Sequence, residues 1–371
     1  MSMPLSHRIL RRAALASTIA LLPGAVSAQA RYESPDGPVE VMGLRTWTLP
    51  MLRDSIRHYV PGQELHDAAC QVTLREKLGF ADAQVMYYSG MTGDGKRHLL
   101  IKLVEPAARS RVQWNPAILD RGASLRPDNA ELLLPITDST GGVHIGRVAF
   151  WLQFAVEERA AAVARMPEAM RAGARADADR LSAFQRARAT ESHRRMALEA
   201  LSGDAFWGNR YAAATVLANF GAHDSTWLAL VHALRDPNEG VRGAALGVLG
   251  SLPPRSIDWR PAIDDLRALL GGTNVSGIGP LKRVLVKTRI APELAAPLLQ
   301  DNADWVLEHL RVAAPMVAGD ARALLRQLNG GADPGSSPEA WSEWASRLSL
   351  RSHASGVAGG GLGGPPQTAA G

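Results

Sequence analysis

Asn209-Arg210-Tyr211-Ala212-Ala213-Ala214-Thr215-Val216-Leu217-Ala218 and Val241-Arg242-Gly243-Ala244-Ala245-Leu246-Gly247-Val248-Leu249-Gly250 are two versions of one segment, offset by 32 residues. Arg210 falls on Arg242, the Ala pair on the Ala pair, and Val216-Leu217 on Val248-Leu249. Each segment has the composition of a helix. Each follows another helical stretch and a short turn that carries an aspartate, Asp204 or Asp236. A repeat of this length predicts helix pairs that stack, because one pair alone buries too little apolar surface. The Ala pair lets neighbouring helices approach closely, and Val and Leu fill the groove between layers. The aspartate is placed to cap the second helix. The arginine is placed to reach an acidic or carbonyl group of the neighbouring pair.

Downstream, residues 263–270, a Gly-rich turn and residues 281–290 form an intervening unit. A weaker copy begins at Leu298-Leu299-Gln300-Asp301. Helix A, an Asp-bearing turn, then helix B opening Val-Arg-x-Ala-Ala resembles the HEAT-repeat family over residues 192–330. The resemblance implies an α-solenoid, spanning 192–350 with Trp341 and Trp344 in a closing cap, that binds a protein partner through its concave helices. Two readings of the recurrent Trp residues stand side by side. They pack between repeats, as large aromatics usually do, or some anchor a partner, where Trp is enriched. On the second reading the candidate partner-binding residues are Trp207, Arg210, Trp227, Arg242 and Trp305.

Upstream, the pattern is mixed. Val39, Val41 and Leu44 read as a strand after a polar lead-in at 31–38. Thr48-Leu49-Pro50 opens a helix carrying Met51, Leu52, Ile56 and Tyr59. A second helix is expected over 64–78, with Leu65, Ala68, Val72 and a Cys70-Leu74-Leu78 stripe toward a core. Strands follow at 83–88 and 98–104; in the latter Leu99, Ile101 and Leu103 share one face, and Leu100 and Val104 the other. Between the two strands lies a turn-rich stretch. This β-α-α-β-β order resembles a POTRA domain over 39–106, carried by Val41-Met42-Gly43-Leu44, Tyr59-Val60-Pro61-Gly62-Gln63-Glu64-Leu65, Leu74-Arg75-Glu76-Lys77-Leu78-Gly79-Phe80-Ala81-Asp82-Ala83-Gln84-Val85 and Ile101-Lys102-Leu103-Val104-Glu105-Pro106. POTRA modules usually precede a membrane barrel, and the residues after 106 are not expected to form one. The expected fold class is therefore an α+β module and then an all-α solenoid. Residues 107–150 read as a connector with short strands, 151–191 as a helical linker, and 351–371 as a disordered Gly-rich tail.

The first 30 residues read as a secretory signal. Arg8, Arg11 and Arg12 precede a short apolar run, and small residues at Val26-Ser27-Ala28 or Ala28-Gln29-Ala30 suit cleavage. An exported, envelope or periplasmic location follows as an expectation. The 371 residues carry a formal charge of +5, and those three arginines, with no acid beside them, account for most of it. The remaining charge of about +2 leaves little for nucleic acid, and membrane association is expected only through a partner. Cys70 is the one cysteine, which excludes an internal disulfide framework.

Chemistry-bearing motifs are sparse. Gly90-Met91-Thr92-Gly93-Asp94-Gly95-Lys96 has P-loop spacing, but Arg97 replaces the final hydroxyl residue and the flanks read as strands. The histidines do not fall at metal-ligand spacing, no Gly-x-Ser-x-Gly elbow is present, and Asp264-Asp265 reads as support for a helix N-terminus. No catalytic, cofactor or metal residue is assigned. The expected function is a protein-interaction scaffold. Two alternatives are an accessory subunit of an exported hydrolase, and an enzyme using 107–150 with a polar cleft near His144.

Overall fold

The computed structural model describes residues 30–67, 69–89, 97–116, 150–300 and 302–358. The chain opens with a four-stranded sheet built from β1 (Ala30–Ser34), β2 (Gly37–Met42), β3 (Asp82–Ser89) and β4 (Arg97–Val104), in the spatial order β1-β2-β4-β3. The outer pairs are antiparallel, and β2 runs parallel to β4 with Val41 opposite Ile101. The supposed lead-in at 31–38 is thus β1, its turn and the first two residues of β2. The residues of β1 alternate between half-buried and exposed, as suits an edge strand with one solvated face.

Helices α1 (Leu49–Tyr59) and α2 (Cys70–Glu76) cover one face of the sheet. Thr48 caps α1 by accepting from the Met51 N–H, as its place before a proline predicts. Leu52, Ile56, Cys70 and Leu74 pack there with Val39, Val41, Leu99, Ile101 and Leu103. Met51, Tyr59 and Val72 instead face solvent. The second helix starts six residues later than its apolar pattern predicts, because 64–67 fold as a turn in which Asp67 accepts from the Glu64 N–H.

The helical part is two rows of antiparallel pairs. After α3 (Arg159–Ala164) and α4 (Glu168–Arg186) come α5 (Glu191–Gly203), α6 (Trp207–Val216), α7 (Asp224–Ala233), α8 (Glu239–Ser251), α9 (Ile263–Leu270), α10 (Ile278–Lys287), α11 (Ala295–Leu299), α12 (Ala303–Glu308), α13 (Pro315–Leu328) and α14 (Pro338–Ala358). One row stacks α5, α7, α9, α11 and α14, and the other α6, α8, α10 and α13. Trp341 and Trp344 on α14 are buried against the last layer. Three sequence boundaries shift. The linker at 151–191 is part of the stack, since Leu181 and Phe184 of α4 join the same core as α6. Residues 351–358, read as the start of the tail, belong to α14, which continues to Ala358. In the connector, residues 106–111 form a 3-10 turn and 112–116 lie extended on the solenoid.

The sheet's second face is not solvated. Met42 and Leu100 pack with Val312, Ala314 and Val317, and Val104 enters the solenoid core. Strand β4 is therefore buried on both faces, one against α1 and α2 and the other against the solenoid.

Candidate functional site

The repeat arginines do the same thing twice. Arg210 donates through one guanidinium nitrogen to the carbonyls of Asp204 and Ala205, six and five residues back, at 2.7 and 3.1 Å. Arg242 reaches the equivalent carbonyls of Asp236 and Pro237 at 2.8 and 2.9 Å. Each arginine thereby closes the turn of its own pair, satisfying carbonyls a tight turn would leave bare. The other edge of Arg210 meets the Asp236 carboxylate of the next pair at 2.7 and 3.1 Å, a buried two-point contact. The aspartates do not cap the second helix, contrary to their sequence position. Asn238 caps α8, while Asp236 braces the turn by accepting from the Asn238 N–H.

Arg242 has no such carboxylate in the following pair, where the turn is Gly-rich. Its guanidinium instead lies 4.3 Å from the centre of the Trp114 ring, which the connector lays over it. Burial pulls the Arg242 pKa down.

These contacts decide the fate of the five candidate residues. Trp227 is fully buried and donates to the Gly221 carbonyl at 2.8 Å. Trp305 is buried beneath Gly43. Arg210 and Arg242 are spent on the turns and on Asp236 and Trp114. Only Trp207, half-buried beside Phe206, reaches the surface. Four of the five are thus internal, because an alanine-rich repeat needs large side chains to fill its layers.

What sequence reasoning missed is the joint between the sheet and the edge of the solenoid where each pair turns. Along that edge, the turn at 271–277 gives its Val275 N–H to Asp82 and its Val275 carbonyl to the Lys102 ammonium, both at 2.8 Å. Thr273 accepts from the Gln113 N–H at 2.8 Å and donates to the Arg111 carbonyl. The turn after α12 gives its Ala313 N–H to Glu40 at 3.0 Å. Glu308 takes the Gly43 N–H at 2.9 Å and pairs with Arg45 at 3.0 Å. The turn after α7 is held by Asn115 and Gln113 through Arg235. Gly43 is required here: its φ is +87°, and a Cβ would sit 1.9 Å from the Leu103 carbonyl and 2.8 Å from the Trp305 ring.

Charges are buried in this joint. Lys102 and Lys282 lie wholly inside, and burial pushes each ammonium down to about 7. Asp82 is raised by its own burial. His98 stands 2.7 Å from Glu40, both buried.

Elsewhere the surface offers a cleft of about 420 Å³ lined by Arg111, Gln113, Asp264, Arg267 and Asn302. Its arginines are paired, Arg111 with Asp304 at 3.1 Å and Arg267 with Asp264 at 3.6 Å. Asp265, expected only to support its helix, also binds Arg235 and His232 of the preceding pair and raises the His232 pKa. Among the described residues, no group of three or more His, Cys, Asp or Glu has metal-binding geometry. Residues 90–96 and His144 lie outside the described residues, but the P-loop-like stretch joins two antiparallel strands, Ser89 facing Arg97. A P-loop would need a helix after it.

Two antiparallel rows, a fixed turn edge and a recurring arginine clamp define a helical repeat array. Residues 195–277 match the family model of HEAT repeats, so this stretch of the chain is a HEAT-repeat array. No curated protein and no solved structure matches the chain.

Proposed function

We propose that this chain is an exported scaffold that holds a protein partner on its helical repeats and catalyses no reaction itself. The observation that carries the reading is the HEAT-repeat array at 195–277, a helical repeat that generally mediates protein–protein contact. The sheet and connector occupy the turn edge, and residues 152–153 lie on α8 at Gly247. The row α5, α7, α9 is left for the partner, and it is polar, with Glu199, His232, Asp264 and Arg267 exposed. The resemblance of the first module to a POTRA domain supports an envelope setting, with β1 as an addition to that pattern. Export is supported by the composition of residues 1–30, and cleavage after Ala28 would leave β1 intact. Among the described residues, no helix is long and apolar enough to cross a membrane. On this reading any membrane association is through the partner.

The test is affinity capture of residues 29–371 from cross-linked envelope extract, beside a variant carrying Glu199→Arg and Asp264→Arg. Exposed charge reversals of this kind leave stability within about 0.5 kcal/mol, so the variant stays folded. A stoichiometric partner lost in the variant supports the scaffold. A chain that captures nothing, or holds its partner equally well in both forms, overturns this face as the binding surface.

A further inference from the structure

The sheet–solenoid joint holds a buried histidine next to Trp305, the ring that packs under Gly43. His309 follows α12, wholly buried, and its ring stacks edge-on to Trp305. Its Nδ1 lies 3.0 Å from the Trp305 carbonyl, so Nδ1 carries the proton and donates. Its Nε2 is buried and has no hydrogen-bond partner. Such a histidine fits only as the neutral ring, because protonated imidazole would present a second buried donor with nothing to accept it.

The surroundings make that charge costlier. Lys102 from β4 and Lys282 from α10 both bear on His309, and both oppose its protonation. The acceptors offered to those ammonium groups are backbone carbonyls, Val275 at 2.8 Å and Val317 at 3.4 Å. The carboxylates of the joint are engaged elsewhere. Glu308 from α12 holds Gly43 and Arg45, Glu40 from β2 holds Ala313 and faces His98 of β4, and Asp82 from β3 holds Val275. Asp320 of α13 pairs with Arg283 of α10.

We propose that the joint is an acid-opened latch: protonation of His309 drives the sheet off the turn edge while the helical rows stay folded, uncovering Met42 and Leu100 on one side and Val312, Ala314 and Val317 on the other. The proposal goes beyond the scaffold reading and does not depend on the partner.

The sign follows from which state holds more protons. Burial holds the folded His309 well below its ordinary value of 6.5. The closed joint therefore binds fewer protons than the opened one, and its stability falls as pH drops below about 6.5. The lysines act earlier. Their contribution declines as pH falls from 10.5 to about 7, so both carry charge when His309 is challenged. Asp82, raised by burial, works in the opposite direction at the acid end, where its protonation favours the closed form.

The test uses two spin labels on the full chain, at Met51→Cys on α1 and Glu199→Cys on α5, both exposed. The native Cys70 is buried with its thiol pushed up to about 12, and stays unlabelled. Distances are recorded from about pH 7.5 to about pH 5, with far-ultraviolet circular dichroism in parallel. The expected result is a broadened, longer distance at the acid end with helicity retained. In His309→Asn, whose amide keeps the donation to Trp305 but does not titrate, opening moves down by about one pH unit or more. Lys282→Met, which removes one repelling charge, also moves it down and serves if the asparagine variant does not fold. A distance unchanged to about pH 5, opening that coincides with loss of helix, or variants that open where the wild type does would each overturn the latch.

Discussion

The two faces of the sheet are made by the same strands and solved by opposite chemistry. On the α1–α2 face, Val39, Val41, Leu99, Ile101 and Leu103 pack in an apolar cluster with Leu52, Ile56 and Leu74. On the solenoid face, Glu40, His98 and Lys102 alternate with Met42 and Leu100, and the charged groups are matched to individual backbone atoms of two turns. Apolar burial is non-directional and contributes about 1.5–3 kcal/mol per large side chain. A buried charge pair contributes little net stability but tolerates few alternative positions. The first face holds the module together; the second fixes where it sits.

Gly43 lies where both faces converge, against the Leu103 carbonyl and the Trp305 ring. Gly43→Val is expected to cost about 4 kcal/mol or more, read as a shift in urea midpoint, because the Leu103 carbonyl and the Trp305 ring occupy the place of its Cβ. A loss below about 1 kcal/mol would mean that the Trp305 seat yields. On the apolar face, Ile101→Ala should cost about 2–5 kcal/mol, with no dependence on pH from neutral upward. On the charged face, Lys102→Met should stay within about 1.5 kcal/mol of wild type at neutral pH, since it exchanges a buried ammonium for a side chain of similar length. It should also remove a pH dependence. The folded Lys102 is depressed to about 7, so the wild type gains stability as pH rises from there toward 10.5, and the variant should lack that gain. Parallel profiles would place the charge outside the energetics of the joint.

The repeat was legible because its period is local. Arg210 and Arg242 stand at equivalent positions and perform equivalent contacts. The alternation in β4 also carried a hint, since Leu100 and Val104 pointed to a second covered face. Lys102 hid it, because a lysine in an alternating strand reads as solvated. The edge strand β1 was hidden by its polarity. The joint itself is not a pattern of neighbours. Asp82 meets Val275 across 193 residues and Glu40 meets Ala313 across 273, and no periodicity connects such positions. The Trp residues were ambiguous for a different reason: the same amphipathic bulk serves a core and an interface.

Those separations also order events in time. Val275, the acceptor for Lys102, lies 173 residues downstream, which at about 5–20 residues per second is roughly 9–35 s of synthesis. Val312, Ala314 and Val317, which cover Met42 and Leu100, follow later still. Glu40, His98 and Lys102 keep the waiting surface wet and discourage strangers from stacking on Met42 and Leu100. The groups that later pin the joint thus serve first as its guards.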